Sequence, residues 1–228
     1  MQESHSAKTA GIAIAAVMLV VGGLAGFGIT KAADHNNNKT TSSNVTTGSS
    51  TKAVALKTTL VELGLEHMTL TDQAVDAALD GSPNAAATGA ALYSNGTDIG
   101  AAVGSVYGQD AETTFNTVWK LHLDEFVKYA VADKTGDNAG KAAALNAIDT
   151  QYTKPLAQYL AKANPNLPEA TLESVLSQHV TMTAQMIDDH VQGNYAAEAK
   201  DLSAANDHIV TIFTTLADGI VKQFPSKF

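Results

Sequence analysis

Histidine is the residue type in this chain with the widest chemical reach, and three of its seven copies recur at matching places. His67, His122 and His179 are each followed fourteen residues later by a glycine: Gly81, Gly136 and Gly193. Imidazole exchanges protons near neutral pH and is a common ligand for transition metals. His208 is a fourth candidate. Asp98, Asp149 and Asp207 stand at equivalent places on the helix after each glycine, and Glu125 lies one turn beyond His122. Helical bundles build metal sites from imidazoles and carboxylates that project inward from facing helices. The candidate ligand set is therefore His67, Asp98, His122, His179 and His208, for a zinc, iron, manganese or copper ion. The opposing reading keeps the histidines structural, each hydrogen-bonded to a carboxylate or carbonyl on a partner helix. At the level of sequence that reading is preferred, because neither Glu-x-x-His nor His-Glu-x-x-His occurs.

Other chemistry is thinly supplied. The chain has no cysteine, which excludes a thiolate metal site, a Cys nucleophile and a disulfide framework. No Gly-x-Ser-x-Gly elbow supports a hydrolase, and the turn glycines do not form a phosphate loop. Met182 and Met186 lie near His179, as soft copper ligands could, but methionines at helical spacing are usually core filler. The net charge is −9 and every basic residue is lysine. Without arginine or a basic stripe, nucleic-acid binding is excluded as a working class. An acidic exterior would draw cations.

The elements that must carry these residues follow from periodicity. Leu56, Leu60, Leu63, His67, Leu70, Ala74 and Ala77 step by four and three, an apolar stripe at helical period with the histidine inside it. Phe115, Trp119, His122, Phe126 and Tyr129 repeat the pattern, as do Leu172, Leu176, His179, Met182 and Met186. After each turn glycine comes a second helix. The glycine-rich one, through Asn95 and Val106, is thin enough for close approach. Pro155 should kink or split its helix, and 164–168 (NPNLP) is a break. The histidines lie 55 and 57 residues apart, so the expectation is an all-α fold of six helices in three antiparallel hairpins. Whether the hairpins close into one bundle or stack in a row stays open.

The first fifty residues read differently. Residues 9–30 carry no charge and would span about 33 Å as a helix, matching a hydrocarbon core of roughly 30 Å. An uncleaved transmembrane anchor is preferred over a signal peptide, whose apolar region should be shorter and end in a small-x-small site. Residues 1–8 would then form a cytoplasmic tail, with the rest of the chain outside. Gly22 and Gly26 have the spacing of a self-associating membrane helix. Residues 31–52, rich in Asn, Ser and Thr, read as a disordered tether, and 53–228 as the helical domain. Asn38, Asn44 and Asn95 begin glycosylation sequons in form.

Several stretches also carry a resemblance. Asn95-Gly96-Thr97-Asp98-Ile99-Gly100, Tyr107-Gly108 with Ala111, Trp119 with His122, Ala163 to Pro168, and the ending Gln223-Phe224-Pro225 with Phe228 resemble a family of uncharacterised bacterial membrane-targeted helical-bundle proteins. Gly96 departs from that pattern, which has Gln there. The resemblance implies a helical fold and an envelope location, and it brings no activity. Together these observations point to a membrane-anchored, extracytoplasmic bundle with a non-enzymatic binding or scaffolding role, its partner an envelope protein. The alternative is a metal-binding protein or metal-dependent oxidoreductase built on the histidines.

Overall fold

Each histidine stripe is one long helix that ends at a left-handed glycine. In the computed structural model, which describes residues 44–228 and their side chains from Thr51 onward, the helices are α1 (Asn44–Leu79), α2 (Ala85–Tyr107), α3 (Gln109–Lys134), α4 (Asn138–Ile148), α5 (Lys154–Ala163), α6 (Glu169–Val191) and α7 (Tyr195–Gln223). A single π turn, Asp149–Thr153, joins α4 to α5. They act as one rod, so the described residues form six helical rods and contain no strand. α1 begins at Asn44, inside the stretch whose composition reads as tether. Serine and threonine are only mildly unfavourable in a helix, and here they extend one already held by packing. The candidate anchor at 9–30, its Gly22/Gly26 pair and residues 31–43 lie outside the described residues. Among the described residues no helix is long and apolar enough to cross a membrane.

The three turns are built identically. Gly81, Gly136 and Gly193 have φ of 66°, 71° and 74°, a conformation that side-chain-bearing residues adopt at a cost. At each, the next residue's N–H reaches back five positions at 2.8 Å: Ser82 to Ala77, Asp137 to Ala132, Asn194 to Asp189. The glycine N–H itself bonds three positions back, to Ala78, Asp133 and His190. This is the Schellman cap, which satisfies the carbonyls a helix end leaves open. The sequence repeat is thus a structural repeat.

Closure of the three hairpins answers the question the sequence leaves open. Neighbouring rods pack side by side in chain order and α7 returns onto α1, while α1, α3 and α6 touch one another across the middle. The histidine-bearing helices therefore form an inner triangle, and α2, α4–α5 and α7 flank it. At one end the last residues of the three flanking rods are tied together. Tyr107 donates to Gln223 (2.7 Å), Asn164 donates to the Tyr107 hydroxyl (3.1 Å), and Gln223 donates to the Ala163 carbonyl (2.8 Å).

Two local features set the walls of the centre. On α2, Gly96, Gly100 and Gly104 face α3, where an added Cβ would meet Trp119, Asn116 and Glu112 at 2.8 Å or less. Missing side chains there let Trp119 lie against the α2 backbone. On the fourth rod, Pro155 has no N–H to give and would clash with the carbonyl of Gln151 in a regular helix. The π turn absorbs the mismatch, splitting the rod as Pro155 implies, and it turns Tyr152 inward to 1% exposure.

Candidate metal centre

The inner triangle brings His67, His122 and His179 together. Each supplies one ring nitrogen, and the three nitrogens lie within 4.8 Å of one another. The ring centroids are 5.6 Å apart for His67 and His122, and 6.0 Å for His67 and His179. All three are at most 2% exposed. The repeat explains the meeting. A histidine at the same height on three equivalent helices must converge once those helices close around one axis.

His122 is the best defined. Its Nδ1 bonds the Trp119 carbonyl, and a carbonyl can only accept, so Nδ1 carries the proton. Nε2 is then a bare lone pair, and it has no partner. Tyr152 stacks on the ring at 4.2 Å and 23°, and Trp119 meets it edge-on at 4.7 Å and 82°. The ring is thus fixed in tautomer and in plane, the state a ligand histidine takes when its other nitrogen is held by a second partner. His67 Nδ1 and His179 Nδ1 are likewise buried and without a partner, as is the indole Nε1 of Trp119.

Electrostatics keep the three rings neutral. Burial pulls His67 down to about 4, and a contact with Asn95 that favours the charged form is outweighed. His179 is pulled down to about 3, first by burial and then by His67 and His208. His122 falls well below its usual range for the same reason, with His67 and His179 adding to the effect and the Trp119 carbonyl opposing it. Neutral imidazole is the form that donates to metals.

The other sequence candidates lie elsewhere. Asp98 is solvent-exposed on α2, and Asp207 is exposed on α7. Asp149 pairs with Lys154 at 2.6 Å. Glu125, buried at 8% exposure, is taken up by Lys128 at 2.5 Å. His208 bonds the Val175 carbonyl through Nε2 at 2.8 Å, which is the structural role the sequence offers as the alternative. Met186 is core at 1% exposure. Trp119, part of an apolar stripe in the sequence, and Tyr152 wall the centre. The cue for Trp119 was its place one turn before His122, where its carbonyl can reach back to Nδ1.

An apolar cavity of about 40 Å³ adjoins the centre, with His179, Trp119 and Tyr152 in its lining. No protein-family model matches this chain, nor does any curated protein or solved structure.

Proposed function

We propose that this protein is a metal-binding bundle whose centre holds one borderline divalent ion, zinc or copper in class, on His67, His122 and His179. Two observations carry the reading: the three buried histidines each offer a ring nitrogen within 4.8 Å of the others, and each has a buried ring nitrogen with no hydrogen-bond partner. A buried polar atom left unmade costs about 1–3 kcal/mol, and three at one spot would be hard to retain without a partner. One ion satisfies all three at once. A tetrahedral ion with metal–nitrogen bonds of about 2.0–2.1 Å needs its nitrogens roughly 3.3 Å apart. The nitrogens lie within 4.8 Å of one another, so binding an ion would draw His67 and His179 inward toward the held ring of His122. With three imidazoles and, among the described residues, no carboxylate grouped with them, the donor set suits zinc, copper or iron and disfavours calcium and magnesium.

Three neutral ligands leave the ion its full double charge, which a dry core does not tolerate alone. A fourth, anionic ligand such as hydroxide would have to be held by the ion itself, because the adjoining cavity is apolar. Three protein ligands with one exchangeable position is the pattern of a reactive centre, not of a closed structural one. The scaffolding role drawn from the sequence is the second reading; its support is the apolar 9–30 stretch, which in this proposal tethers the bundle to the envelope.

The test is metal content. The full chain is expressed without a polyhistidine tag and purified without chelator beside His67→Gln, His122→Gln and His179→Gln. Near-stoichiometric zinc or copper in the parent, lost in each variant while far-ultraviolet dichroism stays helical, is the expected result. A parent that stays empty after challenge with zinc, copper, iron and manganese returns the histidines to a structural role.

A further inference from the structure

A second group of ligand-type side chains gathers where α1 and α6 end and α7 begins. His190, at 7% exposure, has Nδ1 2.9 Å from Asp76 Oδ1 and 2.9 Å from Glu198 Oε1, and Nε2 3.2 Å from Asp80 Oδ1. Glu198 is itself only 6% exposed. One nitrogen cannot serve both carboxylates. When Nδ1 bonds Glu198, the buried Oδ1 of Asp76 is left with no hydrogen-bond partner. Two carboxylate oxygens are thus held against one imidazole nitrogen, and one of them is orphaned.

The other side of the ring makes sense of this. Nε2 faces Asp80, the arrangement by which a carboxylate orients a ligand histidine and leaves its opposite nitrogen for a metal. Asp76, His190 and Glu198 each offer one ligand atom, the three within 4.8 Å of one another. We propose that Asp76, His190 and Glu198 are a second divalent-cation site, distinct from the trihistidine centre and harder in donor character. One nitrogen and two carboxylates suit manganese or zinc. Binding would displace the proton from Nδ1 to solvent and place a positive charge where the carboxylates now oppose each other.

This site does not depend on the first. The sequence carried a signal for it, since Asp72, Asp76 and Asp80 repeat every four residues on one face of α1. His190, off the repeat and close to the turn glycine, gave no such cue.

Manganese(II) is the probe, titrated into the full chain and followed by the loss of its free-ion paramagnetic signal. One bound ion is expected in the parent and in His122→Gln. Asp76→Asn and Glu198→Gln, which keep shape and remove charge, should weaken it by on the order of ten- to a hundredfold while thermal unfolding shows both still folded. The proposal is overturned if the parent binds no manganese, if both carboxamide variants bind as tightly as the parent, or if His122→Gln abolishes binding. The trihistidine reading fails separately, when zinc retained by the Asp76→Asn/Glu198→Gln double variant is unaffected by adding His122→Gln.

Discussion

His122 and His190 are almost equally hidden, at 1% and 7% exposure, but they answer to different neighbours. Around His122 there is no carboxylate to hold a proton, and burial, aided by His67 and His179, drives the ring neutral. Around His190 three carboxylates outweigh burial, and the proton is held more tightly than usual. Depth alone therefore says little about a histidine. The sign of the surrounding charge decides whether its proton is released or retained. The two regions should respond oppositely to acid and to truncation, and differ in which metal they hold.

Acid should have the largest effect. In the metal-free chain His67 and His179 bind protons less readily folded than unfolded. Their contribution to stability is complete above the ordinary histidine value near 6.5 and drains away as pH falls below it. For His67 a fall from 6.5 to about 4 is worth on the order of 3 kcal/mol once pH drops below both values. Asp76 and Asp72 act with the opposite sign. Raised carboxyls favour the folded state when protonated, so their contribution is lost as pH rises from about 4 toward 7. The two contributions overlap between pH 4 and 6.5 and oppose each other, so the variants separate them: in urea unfolding across pH 4.5–8, His67→Gln/His179→Gln should lose the acid-side destabilisation, and Asp76→Asn should steepen it. A His67→Gln/His179→Gln variant whose stability follows the same pH profile as the parent would contradict the buried, neutral centre.

Truncation separates the regions next. His190→Ala leaves Glu198 buried beside Asp76 with no cation between them, and should cost about 2–4 kcal/mol, toward the lower side of the range for a broken buried pair because Asp76 and Asp80 are partly solvated. His179→Leu, by contrast, removes an orphaned polar atom and restores apolar packing. The metal-free variant should be as stable as the parent or more so, while zinc binding is lost. Equal destabilisation by both changes would mean the two clusters are not different in kind.

Zinc should sharpen the contrast by a similar or smaller amount. Binding only to the folded state adds about 2.7 kcal/mol at a free ion concentration one hundred times Kd. A thermal-unfolding scan with zinc should show that gain in the parent and lose most of it in His122→Gln. The remainder, if the second site also accepts zinc, disappears in Glu198→Gln.

Much of this was legible in the sequence because it repeats. The four-and-three stripes gave the helices, and the glycines fourteen residues after His67, His122 and His179 gave the turns. Convergence was not legible. Three identical stripes fit a stacked row as well as a closed ring, and closure depends on long-range ties such as Tyr107 to Gln223 and on α7 returning to α1. Asp98 looked like a ligand from its matching place after the turn, yet that place faces solvent. His190 was passed over because its partners sit on other helices, with Asp80 110 positions away along the chain. Spacing along one helix reveals a face; it does not reveal what another helix presents to it.

The smallest effect tests how the first region is walled. A methyl group at Gly96 would stand 2.8 Å from Trp119 Cδ1 and 2.9 Å from its Nε1. Trp119 has little room to yield. It stacks on Phe115 at 5.1 Å and 22°, and its ring lies 5.0 Å from His67 and 4.7 Å from His122. Overpacking of this kind costs about 1–3 kcal/mol, against about 0.5–1 kcal/mol gained by replacing a helical glycine with alanine. Gly96→Ala should therefore lose about 1 kcal/mol net and bind zinc more weakly, because the indole is pressed toward two of the three ligands. Gly89, on the same helix, has no atom within 4 Å of an added Cβ, so Gly89→Ala should gain the propensity term alone and leave zinc untouched. Manganese at the His190 cluster should be the same in both. If Gly96→Ala instead matches Gly89→Ala in stability and zinc affinity, Trp119 does not hold the histidines in place, and their convergence rests on the helices alone.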